Sequence, residues 1–478
     1  MKQNLVLFMP DQLRADALGC YGHPLVQTPN LDAFAERSVL FETCQAVSPL
    51  CPVSRCDMFT GLPPHATGRR MFGNLLEEHR PHLFRYLKEN GYDVYWYGRN
   101  DLIVQDGVAH AATEWNSFED TPAWAIAGSP YDMDDPRYFS LLFQEGGPHE
   151  DLPDSKRVQR AIEVLERRVS DRPFCLFLPL FYPHPPFTGP EGYHNMYAAE
   201  DVPALRPADL DTRPAFYRKI RESRNLHQLD DLTLRKINAV YLGMITYVDM
   251  LFGKMMGALA DTGHADDTTV VFFSDHGEWG GDYGLVEKWG TSMDDALIRV
   301  PLIINSPGLS EPRRVEEVVS LRDLMATLLE ICEIEPRHRH FSKSLCDVLA
   351  GGAEDLSRAA FSEGGYSRAE TQCFLPLERY APGHIYRPKH YLEMVEPELI
   401  SRTVCVRTRE HKLVWRPELV SELYDLTADP GETRNLFADP AYAPVQEDLM
   451  KRLLDWFVLT SDVVEGGTMP MELPKVPA

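Results

Sequence analysis

The chain has 478 residues, 44% hydrophobic and 25% charged, with 31 Gly and 37 Pro, a profile that excludes disordered, collagen-like and coiled-coil classes and leaves room for a large buried core. Lys plus Arg number 48 against 72 Asp plus Glu, a net charge of −24, which argues against a nucleic-acid partner or an anionic membrane surface and requires a local basic pocket for any anionic substrate. The apolar runs, Pro173–Pro183 included, fall short of the ~20 residues of a spanning helix; the start MKQNLVLFMPDQ lacks a signal-peptide core, and nine scattered cysteines without paired CxxC spacing point to a reducing compartment, so the expectation is a cytoplasmic protein.

Strand-length apolar runs alternate with helix-period segments through about the first 350 residues, the pattern of a mostly parallel sheet covered by helices. The strands read as Leu5–Met9, Val94–Tyr97, Phe174–Phe181, Thr269–Phe273 and Leu302–Asn305. Leu83 and Leu87 lie on one helical face before the stop signal Asn90-Gly91, and Val158, Ile162, Leu165 and Val169 do the same within Ser155–Ser170. The segment Arg206–Arg235, rich in charge and Pro, reads as a surface insertion or lid, Leu232–Leu259 as a long helix pair, and Leu321–Ile331 as another amphipathic helix. Composition shifts near Gly351–Glu354. Beyond it, residues 402–416 suggest antiparallel strands, Glu422–Pro430 a strand and turn, and Val445–Phe457 a closing helix. The predicted fold is α/β: a large, mostly parallel (mixed) sheet sandwiched by helices over residues 1–355, and a smaller C-terminal α+β subdomain with an antiparallel sheet over 356–478.

Open parallel sheets bind ligands where their strands end. The first predicted strand releases Pro10-Asp11-Gln12, the second Gly98-Arg99-Asn100-Asp101, the third Tyr182-Pro183-His184, and the fourth Ser274-Asp275-His276-Gly277. Oxygen donors from Asp11, Gln12 and Asp275 with a nitrogen from His276 suit a hard divalent cation such as Ca²⁺, Mg²⁺ or Mn²⁺. Each residue alone could equally cap a helix or close a turn; it is their joint arrival at one edge that carries the reading. The stretch Ser54–Phe59 reads as the first turns of a helix closed near Gly61, which sets Cys51 just ahead of a helix N-terminus, where an anion is favoured, with Arg55 four residues on. An inert loop cysteine is the alternative for that segment alone.

Taken in order, Met9-Pro10-Asp11-Gln12, Gly19-Cys20-Tyr21-Gly22, Thr28–Asp32, Cys51–Gly61, Pro183–Phe187, Phe273–Glu278, Gly284–Lys288, Arg299–Ile303 and Glu422–Glu432 resemble the sulfatase family of the alkaline phosphatase superfamily, in the branch of arylsulfatases and phosphonate monoester hydrolases. The resemblance implies that a maturase oxidises Cys51 to formylglycine, whose hydrated aldehyde supplies the nucleophile. It places Asp11, Gln12, Asp275, His276 and residue 51 around one divalent cation, Ca²⁺ first and Mn²⁺ or Mg²⁺ next. Arg55 would stabilise the modified side chain, and Arg99, Lys288 and His184 would neutralise charge on the reacting group, with His184 the better proton donor because an imidazole titrates near neutral pH. Asn74, Asp101, His384 and Lys389 are the substrate-binding candidates. The segment Gln372–Pro397, with Arg379, His384, Arg387, Lys389 and His390, either reaches over the pocket or forms a solvated loop.

The sequence departs from the family pattern at three places. The maturation motif Cys-x-Pro-x-Arg is Cys51-Pro52-Val53-Ser54-Arg55 here; Gly-Lys-x-His is Gly98-Arg99-Asn100-Asp101; and Gln12 and His276 stand where many members have Asp and Asn. The last pair lies closer to the phosphonate monoester hydrolases. The resulting expectation is hydrolysis of sulfate monoesters, small-molecule or saccharide, with phosphonate monoester or phosphodiester hydrolysis on the same site as the alternative. A non-catalytic protein with unconverted Cys51 is a third reading, and a two-zinc phosphatase is disfavoured because only one ligand set is visible. A homo-oligomer is compatible with the chain; a nucleic-acid or membrane partner is not expected.

Overall fold

Nothing polar follows Asn4 in the run Asn4–Pro10 until the strand ends, so this strand can be buried on both faces, as the centre of a parallel sheet requires. In the computed structural model, which describes residues 2–116 and 128–463, it lies between Phe174–Leu180 and Thr268–Phe273, parallel to both. The full sheet has eight strands in the order Arg313–Val315, Val39–Phe41, Leu302–Asn305, Thr268–Phe273, Asn4–Pro10, Phe174–Leu180, Asp93–Tyr97, Glu114–Asn116. Among these only Leu302–Asn305 runs antiparallel to its neighbours. All five strands expected from the sequence are present, within a residue or so of the expected ends.

The Leu232–Leu259 segment is one continuous helix, Asp231–Asp261, rather than a pair. Its Gly243 is no breaker: a Cβ there would come within 2.0 Å of the Tyr193 carbonyl oxygen, so the glycine answers a close backbone approach. This helix is long and apolar enough to cross a membrane by length and composition, which corrects the expectation from apolar runs alone. Most of its apolar stretch, however, is buried inside the protein.

Arg206–Arg235 is not a surface lid. It contains the helix Ala215–Ser223, whose Phe216, Tyr217 and Ile220 are buried, and two of its charges point inward, Arg213 to Asp294 at 2.6 Å and Arg224 to Glu287, while others such as Asp211 and Arg218 stay exposed. Nor is the 372–397 stretch a solvated loop, since it forms the helix Arg387–Val395 with Lys389, His390, Leu392 and Glu393 buried.

A second sheet, fully antiparallel, pairs Ala360–Gly364, Thr403–Arg407, His411–Trp415 and Glu422–Asp425 in that order. The helix Ala443–Thr460 covers it through Leu449 and Leu453. Asp295, from the larger part, receives both Arg407 (2.9 Å) and Lys412 (3.0 Å), so buried ion pairs lock the two sheets together.

Candidate active site

Because three adjacent strands run parallel, the residues just past their ends converge at one edge. Asp11 succeeds the central strand, Asp275 and His276 succeed Thr268–Phe273, and His184 succeeds Phe174–Leu180. Arg99 arrives from the next strand over a tight turn at Gly98, whose φ of +147° and absent Cβ let it sit against the Pro179 carbonyl. Cys51 is delivered from outside this sheet as the first residue of the helix Cys51–Thr60, closed by Gly61 in a left-handed conformation. Ser54 of that helix donates to the Asp275 carbonyl at 2.7 Å and fixes its first turn over the strand ends.

Cys51, Asp11, Asp275 and His276 are all buried, and one donor atom from each lies within 4.8 Å of the others. Cys51 Sγ is 3.0 Å from His276 Nε2 and 3.6 Å from Asp11 Oδ1. His276 Nδ1 lies 3.0 Å from the Gly277 carbonyl, which can only accept, so Nδ1 carries the proton and Nε2 turns a lone pair inward. Burial holds this imidazole down to about 4, so it is neutral at physiological pH. The Cys51 thiol is pushed up, first by burial and then by Asp11.

Two buried carboxylates at such range need a cation. Arg55 supplies it, with Nη2 at 2.8 Å from Asp11 and Nε at 2.9 Å from Asp275. Burial and mutual repulsion oppose ionisation of Asp11, yet Arg99 and Arg55 hold it below the usual carboxylate range. Burial likewise opposes ionisation of Asp275, and the Arg55 guanidinium and the Gln12 backbone N–H help hold it below the usual carboxylate range. The donor set therefore fits a divalent cation: two ionised carboxylates, one imidazole lone pair and the side chain of residue 51.

Gln12 follows Asp11 past the same strand end. Its backbone is left-handed (φ +69°), and its amide spans two other groups, donating to Glu278 and accepting from Lys288. Lys288 Nζ also donates to His184 Nε2 at 3.0 Å, while His184 Nδ1 meets the Pro185 carbonyl at 2.6 Å. The His184 proton is thus on Nδ1, facing away from the site, and burial together with Lys288 keeps the ring neutral. Burial opposes the charge on Lys288, yet the carboxylates of Asp11 and Glu287 help hold its ammonium above the usual lysine range. In this arrangement the available proton is on Lys288.

A cavity of about 280 Å³ opens beside these groups, with Arg99, Asp101, His184 and Lys288 on one wall. Arg379, Tyr380, Tyr386, Lys389 and Glu393 line it too, together with the apolar Met71 and Phe72. Of the substrate-binding candidates, Asp101 lines the cavity within 3.3 Å of Arg99 and 3.5 Å of Arg55. Lys389 also lines it, bound to Glu287 at 3.0 Å. Asn74 does not line it: its Oδ1 accepts from the Arg70 and Met71 amides and shapes the turn that carries Met71 and Phe72. His384 stands outside too, stacked on Tyr380 with ring centres 4.4 Å apart.

Glu278, Glu287 and Glu393 escape the sequence reading. Glu278 and Glu287 sit beside two candidate residues, His276 and Lys288, but nothing in a lone Glu tells that it will be buried. A larger cavity of about 640 Å³ lies behind the Cys51–Thr60 helix and contains none of the convergent donors.

The chain is similar to known proteins along nearly its whole length. A family model described as Sulfatase matches residues 3–334, and one described as N-sulphoglucosamine sulphohydrolase, C-terminal, matches residues 368–457. The chain is 27% identical to the multifunctional alkaline phosphatase superfamily protein PehA of Trinickia caryophylli, over 96% of each chain. It is 26% identical to an arylsulfatase of Clostridium perfringens, over 95% of this chain and 94% of that one. Its fold matches that of the phosphonate monoester hydrolase of Agrobacterium radiobacter with a TM-score of 0.77, at 24% identity and 96% coverage of each.

Proposed function

From the premise that the chain belongs to the Sulfatase family, we propose that it hydrolyses sulfate monoesters through a formylglycine made from Cys51 and with one divalent cation held by Asp11, Asp275, His276 and residue 51. The observation that carries this reading is the placement of Cys51 on a helix N-terminus, facing two carboxylates and an imidazole lone pair. Ca²⁺ is the first choice of cation, with Mn²⁺ or Mg²⁺ next. When bound, the cation would polarise the attacking oxygen of residue 51 and the ester oxygens beside it.

The chain's own residues account for the rest. The oxygen of residue 51 attacks sulfur, the ester oxygen leaves, and the second hydroxyl on the same carbon loses its proton to re-form the aldehyde and release sulfate. Arg55 neutralises Asp11 and Asp275, so the edge that meets the anionic ester is not dominated by their charge. Arg99 and Lys288 face the cavity and match the charge on the transferring group. Lys288 Nζ, with His184 Nε2 as its acceptor, holds the proton for the leaving oxygen.

A second reading, phosphonate monoester or phosphodiester hydrolysis, is favoured by Gln12 and His276, which stand where many sulfatases have Asp and Asn. The deciding experiment measures the mass of the peptide containing Cys51 and assays the same preparation on aryl sulfate, phosphonate monoester and phosphodiester substrates. Turnover by a preparation holding only unmodified cysteine would overturn the proposed nucleophile.

A further inference from the structure

We propose that Cys51, where it escapes conversion, completes a zinc site with Asp11, Asp275 and His276, and that the identity of residue 51, cysteine or formylglycine, decides whether the site takes zinc or a hard cation. The inference rests on the metal reading above and adds to it a selection rule written into residue 51.

The geometry comes first. His276 Nε2 lies 3.7 Å from Asp11 Oδ1 and 3.9 Å from Asp275 Oδ1, and Cys51 Sγ lies 3.6 Å from Asp11 Oδ1 and 3.0 Å from His276 Nε2. Four ligands arranged tetrahedrally about Zn²⁺ stand roughly 3.4–3.6 Å from one another. Of the six distances among four ligands, three agree within a few tenths of an ångström, the sulfur–nitrogen contact needs to open by about half an ångström, and those from Asp275 to Asp11 and to Cys51 are within 4.8 Å. Among the described residues this is the one grouping of its kind, so the other eight cysteines offer no competing site of this composition.

Edge lengths alone do not choose the metal; donor atoms do. A thiolate and an imidazole beside two carboxylates form a mixed sulfur, nitrogen and oxygen set, which suits Zn²⁺ and is foreign to Ca²⁺ or Mg²⁺. On binding, the Cys51 S–H bond breaks, a sulfur–zinc bond forms, and the proton leaves to solvent. Conversion replaces that sulfur with hydroxyl oxygens and leaves one nitrogen among oxygens, a set that Ca²⁺ or Mn²⁺ accepts. The order Cys51-Pro52-Val53, in place of Cys-x-Pro, makes an unconverted fraction a realistic circumstance for this chain.

Co²⁺ serves as the spectroscopic probe, added to three forms of the full chain: unconverted protein verified by peptide mass, converted protein, and Cys51→Ser. A sulfur-to-cobalt charge-transfer band in the near ultraviolet is expected in the unconverted protein and in neither of the others. Zn²⁺ should bind the unconverted protein roughly tenfold or more tightly than Cys51→Ser, since loss of mere supporting partners already costs that much. Co²⁺ binding to the unconverted protein without the band overturns the proposal and leaves the metal site standing. Absence of divalent-cation binding in every form, with circular dichroism showing each folded, overturns both.

Discussion

Arg55 joins Asp11 to Asp275, at 2.8 and 2.9 Å, and so ties the ends of two neighbouring parallel strands with one guanidinium. All three side chains are buried. The fork geometry matters, because an ammonium on a flexible stem offers no pair of fixed donors. Arg55→Ala should lower stability by about 3–5 kcal/mol, the cost of stranding buried carboxylates, and Arg55→Lys should recover little of it. Urea unfolding checks both; a loss under ~1 kcal/mol for Arg55→Ala would remove the guanidinium from this role.

Cys51→Ala should abolish turnover while leaving the fold intact, since it deletes one small group from the start of a helix held by Ser54. Near-ultraviolet circular dichroism and the thermal midpoint should stay close to those of the parent. Residual turnover above background would show that another residue attacks.

Asp275→Ala should lose metal and activity together, because Asp275 supplies both a metal donor and an anchor for Arg55. Elemental analysis of purified protein is the check. Full activity in metal-stripped parent protein, or two tightly held zinc ions per chain, would contradict a single-cation site.

Lys288→Ala should slow esters with poor leaving groups by ~10²–10⁴-fold and activated aryl esters far less, because the transferable proton sits on Lys288. His184→Ala should show the same trend more weakly, as the ring accepts from Lys288 rather than donating to the site. A steeper leaving-group dependence in His184→Ala than in Lys288→Ala would return the donor role to the imidazole. The cationic groups are offset by Asp101, so singly charged esters should outrun phosphate monoesters, which carry nearly two charges at neutral pH.

Glu393 gives a pH signature. Its carboxyl lines the cavity, its Oε1 is buried without a hydrogen-bond partner among the described residues, and burial pushes it up to about 7. A raised carboxyl pKa means that the folded chain binds more protons than the unfolded one between about pH 4.5 and 7, so stability falls as pH rises through that window. The full effect is ~3 kcal/mol at most. Glu393→Gln should therefore match the parent below pH 4.5 and exceed it by ~1–3 kcal/mol at pH 8, as read by denaturant unfolding at both values. Parallel pH profiles for the two proteins would count against it.

The strand ends are legible in the sequence because apolar runs are local signals and the parallel-sheet rule brings the residues beyond them to one edge. Asp11, His184, Asp275 and His276 emerge from that reasoning, whereas Cys51 comes from the helix start it precedes and from the family resemblance. The contacts of Gln12 are not legible in this way, because the left-handed backbone that swings the amide toward Glu278 and Lys288 leaves no trace in residue type. Arg206–Arg235 reads as surface because charge usually means exposure, whereas Arg213 and Arg224 are neutralised by Asp294 and Glu287, distant in sequence. The inward wall of Arg387–Val395 is a tertiary fact of the same kind.

Cys51 is 1% exposed in the folded chain, too little for another enzyme to grip it. Under the proposed conversion, oxidation would come while the N-terminal part is still open, before the first of the partners that seal it, Asp275, is made 275 − 51 = 224 residues later. At roughly 5–20 residues per second of synthesis, that leaves roughly 10–45 s. A ribosome that hurries through this stretch should yield more dead enzyme than one that pauses, from the same messenger and with the same final shape.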